Sequence, residues 1–139
     1  ILGFAFKANT NDTRESAAIQ ICKDLMEEGA VLQIHDPKVI PKQISIDLNL
    51  KPYELENNAL KNINQKGNWI FNEELYDSFS NADAVVILTE WDEYNRIKWD
   101  RVSKAMRRPA WVFDTRNIID RDNIQKAGLN IWRIGDGLN

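Results

Sequence analysis

Two cations, Lys7 and Arg116, and two acids, Asp36 and Glu90, each follow an apolar run in this sequence, and a third cation, Arg14, stands in the segment just past the first. Apolar runs that end in polar residues read as strands whose carboxyl ends share one edge, the edge at which open α/β sheets bind ligands. Two cations on separate strands at such an edge suit a diphosphate, because charge-assisted contacts to phosphate oxygens are strong and arginine grips two oxygens at once. The stretch GFAFKANTNDTRES, residues 3–16, adds to this. Asp12 and Glu15 have the spacing of an N-cap and its N3 partner, which predicts a helix starting near Thr13 with unpaired N–H groups that favour an anion. The chemistry these residues support is the binding of a phosphate-bearing ligand.

No reaction centre accompanies that edge. The sequence has no Cys/His metal spacing, no G-x-x-x-x-G-K-[ST] loop, no G-x-S-x-G elbow and no Cys beside a candidate base. Asp36 stands where dinucleotide folds hold a ribose, yet no G-x-G-x-x-G precedes it, so that motif fails. His35 reads as a polar strand end rather than a catalytic base, and Cys22 as a small buried hydrophobe on a helix stripe. Glu73/Glu74 and Asp120/Asp122 read as helix-start carboxylates favoured by the dipole. Trp91, Trp99, Trp111 and Trp132 read as core or rim packing.

The elements that must position these groups follow from periodicity. Residues 1–6, ILGFAF, form an apolar run suited to a strand buried on both faces. Ala18, Ile21, Cys22, Leu25 and Met26 recur at helical spacing within 13–28, and Gly29 is the stop signal. Residues 30–36 predict a strand closed by Pro37, and 38–67 an irregular excursion with one short helix over 53–62. A short strand at 69–71 and a helix over 73–79 with Asn72 as N-cap come next. Residues 84–88, AVVIL, are the strongest strand and predict the sheet centre. A helix near 100–107, a strand at 111–114, a helix over 120–127 stopped by Gly128 and an edge strand at 129–134 complete the chain. The sum is an α/β fold, a Rossmann-like doubly wound, mostly parallel sheet of five to six strands with helices on both faces.

At 139 residues, with 43% hydrophobic and 28% charged residues, the chain is long enough for one domain with its own core, and residues 1–139 read as a single domain. A net charge of −3 without a basic run argues against nucleic acid as partner. No run approaches the roughly 20 apolar residues of a membrane span, and the start has no signal-peptide pattern, so a cytoplasmic location is expected. A single cysteine fits a reducing compartment. The start on strand-like residues without Met reads as an excised piece of a longer protein.

GFAFK with NDTRES, the segment from EEGA to HDPKV, NADAVVILTEWDEY and PAWVFDTRNI together resemble the carboxyl-terminal, UDP-binding domain of the UDP-glucose 6-dehydrogenase family. The resemblance covers nearly the whole chain and is weakest over 38–67. It implies an oxidoreductase that converts UDP-glucose to UDP-glucuronate with two NAD+, in which an amino-terminal domain carries NAD and a Cys outside this chain does the chemistry. Alone, this chain would then be inactive. By the same resemblance Phe6, Lys7 and Arg116 are substrate-binding, and Arg14 reaches the NAD held by the other domain. Some members carry Gly and a second Arg where this chain has Thr115 and Asn117. The implied partners are UDP-glucose or UDP-glucuronate and the missing domains of the same enzyme. A homo-oligomer is implied for the full-length enzyme and a monomer is compatible with the fragment. Two alternatives remain open: the same domain of a dehydrogenase acting on GDP-mannose or UDP-N-acetylmannosamine, and a stand-alone nucleotide-binding module.

Overall fold

The computed structural model describes residues 1–53 and 67–137. In chain order the elements are α1 (Ala17–Glu27), β1 (Val31–Ile34), α2 (Pro41–Leu48), β2 (Asn68–Phe71), β3 (Ala84–Ile87), α3 (Trp99–Ala105), β4 (Trp111–Asp114), α4 (Arg121–Lys126) and β5 (Asn130–Arg133), with 3₁₀ turns at Leu75–Phe79 and Asp92–Arg96. Among the described residues all strand pairs are parallel. β1 pairs with β2, and β3, β4 and β5 form a second ladder with Val85 opposite Val112 and Val112 opposite Ile131.

Leu2 joins the two ladders. It bridges His35 on one side and Ile87 on the other, with its N–H on the Val86 carbonyl and its own carbonyl accepting from Leu88. The spatial order is therefore β2, β1, Leu2, β3, β4, β5, a doubly wound order that runs outward in both directions from the first segment. Because parallel crossovers are right-handed, winding outward in two directions sets α1 and α2 on one face and α3 and α4 on the other. Consistent with this, α1 packs on α2 and α3 on α4.

The strand expected over residues 1–6 is reduced to this one bridge. Gly3 has φ +91° and bends the backbone out of the ladder, so Phe4 and Ala5 are held by a side chain instead. The helix start also differs from expectation. Asp12 and Glu15 form no capping box; Glu15 has φ +62°, outside the helical region, and Ser16 is the N-cap, its Oγ accepting from Ala18 N–H. Its end matches: Gly29 has φ +92°, with Gly29 N–H on the Met26 carbonyl and Ala30 N–H on that of Leu25. That is a glycine-terminated helix end.

Within 38–67 the irregular reading missed α2, which has Pro41 at its first turn and Asn49 in the left-handed region at its end. Proline at the first turn is compatible with a helix, since the N–H it lacks has no intrahelical partner there. The short helix expected over 53–62 lies, from residue 54 on, outside the described residues. The helix expected over 73–79 is a 3₁₀ turn beginning at Leu75, with Glu74 rather than Asn72 preceding it. The later elements agree with expectation to within about two residues, and Asp120 caps α4 by accepting from Asp122 N–H.

The core runs from Leu2 and Phe4 through Ile34, Trp69 and Ile87 to Val112 and Ile124, all fully buried. Each such aliphatic or aromatic side chain contributes about 1.5–3 kcal/mol on burial. Trp91 and Trp99 lie in the core, whereas Trp111 and Trp132 are 41% exposed on the sheet rim, where Phe113 stacks on Trp111. Cys22 is buried, and burial pushes its thiol up to about 11, which leaves it protonated and inert.

Candidate functional site

The carboxyl edge of the sheet is assembled by carboxylates that bind backbone N–H groups. Asp36, one residue past the His35 bridge, is 4% exposed. Its Oδ2 accepts from Phe4 N–H (2.8 Å), Ala5 N–H (3.0 Å) and the Trp91 indole (3.2 Å), and its Oδ1 from Lys38 N–H (2.9 Å) and Val39 N–H (2.8 Å). The residue set aside as a ribose ligand is thus the anchor of the loop that carries Phe6 and Lys7. Thr89 adds a second anchor, its hydroxyl donating to the Ala5 carbonyl (2.8 Å), and the Ser16 hydroxyl donates to that of Phe4 (2.8 Å).

Asp114 plays the same part on β4. Fully buried, it accepts from Arg116 N–H (3.0 Å) and Ile119 N–H (2.8 Å) and so shapes the turn that carries Arg116. Thr115 donates to the Ile87 carbonyl (2.6 Å), and Asn117 takes φ +57°. The residues that stand in place of Gly and a second Arg are therefore part of how this turn is held.

Arg116 leans across the edge onto Glu90, its Nε donating to Oε2 (2.6 Å) with Nη2 in ion-pair contact. The other oxygen of Glu90 faces Ala8 N–H at 3.5 Å, a long contact. Partial burial pushes the Glu90 carboxyl up, but its own backbone N–H, the Arg116 guanidinium and the Ala8 N–H outweigh this and hold it below the usual glutamate range. Glu90 consequently joins the Lys7 loop to the Arg116 turn.

Of the four residues singled out in the sequence, Phe6 is half exposed with its N–H on the Asp12 carbonyl (2.8 Å), and Lys7 is exposed and forms no ion pair among the described residues. Arg14 stands apart. Its side chain is 87% exposed and forks onto Asp12, with Nε at 3.0 Å and Nη2 at 2.7 Å from the carboxylate oxygens. Arg14, through these side-chain bonds and its backbone N–H, holds the Asp12 carboxyl down to about 2. The fold joins the Lys7 and Arg116 loops through Glu90 and ties Arg14 to a different carboxylate.

His35 is buried, with Nδ1 3.0 Å from the Tyr94 hydroxyl, and that hydroxyl donates to the His35 carbonyl (3.1 Å). With the phenol proton so used, Nδ1–H donates to the phenol oxygen. Burial lowers the His35 pKa, against the opposing pull of Asp36. A neutral buried imidazole with a satisfied partner is structural. The ring resonances of this sole histidine should titrate with a midpoint below about 6.5, the unfolded value, and the folded chain should lose stability as pH falls through 6.5, because the unfolded state then binds more protons. A midpoint at or above 6.5 in an NMR titration would contradict this burial argument.

Among the described residues no group of three or more His, Cys, Asp or Glu side chains could hold a metal, and no helix is long and apolar enough to cross a membrane. A cavity of about 910 Å³ opens at the amino ends of the strands, lined by Ile1, Val31, Gln33, Ile70 and Val86, and one of about 320 Å³ lies between α3 and α4. Neither includes Phe6, Lys7, Arg14 or Arg116. The loops that carry Phe6, Lys7 and Arg116 instead lie on the open surface at the carboxyl edge of the sheet.

Comparison with known proteins identifies the family. UDP-glucose 6-dehydrogenase of Drosophila melanogaster is 42% identical over 135 residues, covering 97% of this chain and 27% of that protein. UDP-glucose 6-dehydrogenase 2 of Oryza sativa subsp. japonica is 37% identical over 148 residues, covering 100% and 30%. The chain thus spans less than a third of the length of these curated relatives. In three dimensions it resembles an NDP-N-acetyl-D-galactosaminuronic acid dehydrogenase from Methanosarcina mazei Go1, with a TM-score of 0.64 at 24% identity, over 96% of this chain and 23% of that one, a likeness of fold. Residues 1–121 match the family described as the UDP-glucose/GDP-mannose dehydrogenase family, UDP binding domain, and the chain belongs to that family.

Proposed function

We propose that residues 1–139 form a single domain that binds the UDP moiety of UDP-glucose or UDP-glucuronate for a UDP-glucose 6-dehydrogenase, with Lys7 and Arg116 on the diphosphate or sugar and Phe6 against the ligand. The observation that carries this reading is the joining of the Lys7 loop and the Arg116 turn through Glu90 at the carboxyl edge. The names of the relatives support UDP-glucose over other nucleotide sugars.

The parent enzyme would oxidise UDP-glucose with two NAD+ in a cytoplasmic homo-oligomer, and its NAD would sit mainly on another domain. The residues here do not fit a dinucleotide site of their own. Asp36, at the end of the second parallel segment, has both oxygens committed to protein N–H groups, which leaves it unsuited to hold a ribose. Arg14, exposed and outside the Glu90 cluster, is the residue assigned to a cofactor carried elsewhere.

Titration calorimetry of this chain with UDP, UDP-glucose, UDP-N-acetylmannosamine and GDP-mannose tests the proposal. UDP and UDP-glucose should bind and raise the melting temperature, with no NADH formed when NAD+ is added. Lys7→Ala and Arg116→Ala should each weaken UDP binding by about tenfold or more, as expected for loss of a charge-assisted contact. Arg14→Ala should change it less than about twofold, within the range of a solvated charge. Equal losses from all three would overturn the division of roles, and preference for GDP-mannose would move the chain to another substrate class.

A further inference from the structure

Resting on the diphosphate reading above, we propose that Glu90 is a positioning residue: it holds Arg116 by one edge of the guanidinium and presents the opposite edge, together with the Lys7 loop, to the ligand. Arg116 engages Glu90 through Nε and Nη2, the same edge of its planar fork. Guanidinium has a second edge, formed by Nη1 and the outer hydrogen of Nη2, with the geometry needed for bidentate contact to phosphate. A ligand can therefore bind Arg116 without displacing Glu90. Arginine otherwise gives up the freedom of a long side chain when it binds, and a guanidinium already held in place gives up less.

Glu90 is well built for this. It follows Thr89, which is fully buried and bonded to Ala5, so its backbone is fixed by the core. Arg116 is fixed at its own backbone by Asp114. The pair thus connects two rigid anchor points, and the second Glu90 oxygen faces Ala8 N–H, directly after Lys7. An acid beside an anion site also acts in the opposite sense, by lowering the local positive potential. The two effects have separable signatures. Glu90→Gln removes the charge but keeps an oxygen that accepts from Arg116 Nε, whereas Glu90→Ala removes both.

The positioning role predicts that Glu90→Gln binds UDP at least as tightly as the wild-type chain, while Glu90→Ala binds about tenfold more weakly than Glu90→Gln. A second readout needs no ligand. In nitrogen-labelled chain the Arg116 Nε–H resonance should be slow to exchange in the wild type and in Glu90→Gln, and should collapse to the free-arginine position in Glu90→Ala with the melting temperature little changed. Equal UDP affinity in the two variants, or an Arg116 signal indifferent to Glu90→Ala, overturns the proposal. Failure of the wild-type chain to bind UDP overturns the diphosphate reading instead; the Nε–H signal would then still decide whether Glu90 orders Arg116.

Discussion

Asp36→Ala is expected to destabilise the chain by about 4 kcal/mol, among the largest effects a single substitution can have here. The carboxylate satisfies four backbone N–H groups and the Trp91 indole at a site only 4% exposed. A buried donor left without a partner costs about 1–3 kcal/mol, and water entering the space left by the side chain offsets part of the sum. Asp36→Asn should cost about half as much, because one oxygen remains while an amide group is turned against donors. Urea unfolding followed by circular dichroism measures both, with unchanged slope if the compactness of the end states is unaffected. Since a domain of this size has only about 5–15 kcal/mol of stability, the alanine variant should be largely unfolded at moderate urea. A loss below 1 kcal/mol would show that the loop holding Phe6 and Lys7 does not depend on Asp36.

Gly3→Ala should rank with it, at about 3–4 kcal/mol. Gly3 has φ +91°, and a Cβ there would lie 2.3 Å from Thr89 Cβ and 2.8 Å from Thr89 N. The left-handed conformation costs a non-glycine residue about 1–2 kcal/mol, and forcing atoms into a packed site adds about 1–3 kcal/mol. Gly135→Ala separates the two contributions. Gly135 has φ +85° with nothing within 4 Å of the added Cβ, so that variant carries the backbone cost alone. Comparable melting temperatures for the two variants would show that contact with Thr89 is unimportant. Thr89 also donates to Ala5, so a Gly3→Ala chain that still folds should bind UDP more weakly.

The sequence alone determined those features that depend on short-range chemistry. The runs at 84–88 and 111–114 read as strands from their shortness, their flanking turn residues and their β-branched or aromatic content, and both form strands. Gly29 and Gly128 end their helices because a positive φ is needed at those points. The presence of Lys7 and Arg116 at the same edge followed from the alternation of strands and helices.

What the tertiary structure decided are the competitions between equally local alternatives. Asp12 can cap a helix or bind its own neighbour; it takes the latter role, accepting from Arg14 N–H, and Ser16, whose hydroxyl also reaches the Phe4 carbonyl, becomes the cap. Residues 1–6 have strand composition, yet only Leu2 pairs, because Gly3 must pass close to Thr89 from a strand far along the chain. Asp36 has the position of a ribose ligand in the sequence, and only the approach of Phe4, Ala5 and Trp91 reveals that its oxygens are already used. Glu90 is legible in the sequence as an acid at a strand end, but its partners are not. Its link between Arg116 and Ala8 joins residues 26 and 82 positions away, a pairing that no local pattern encodes and that the packed sheet alone brings within reach.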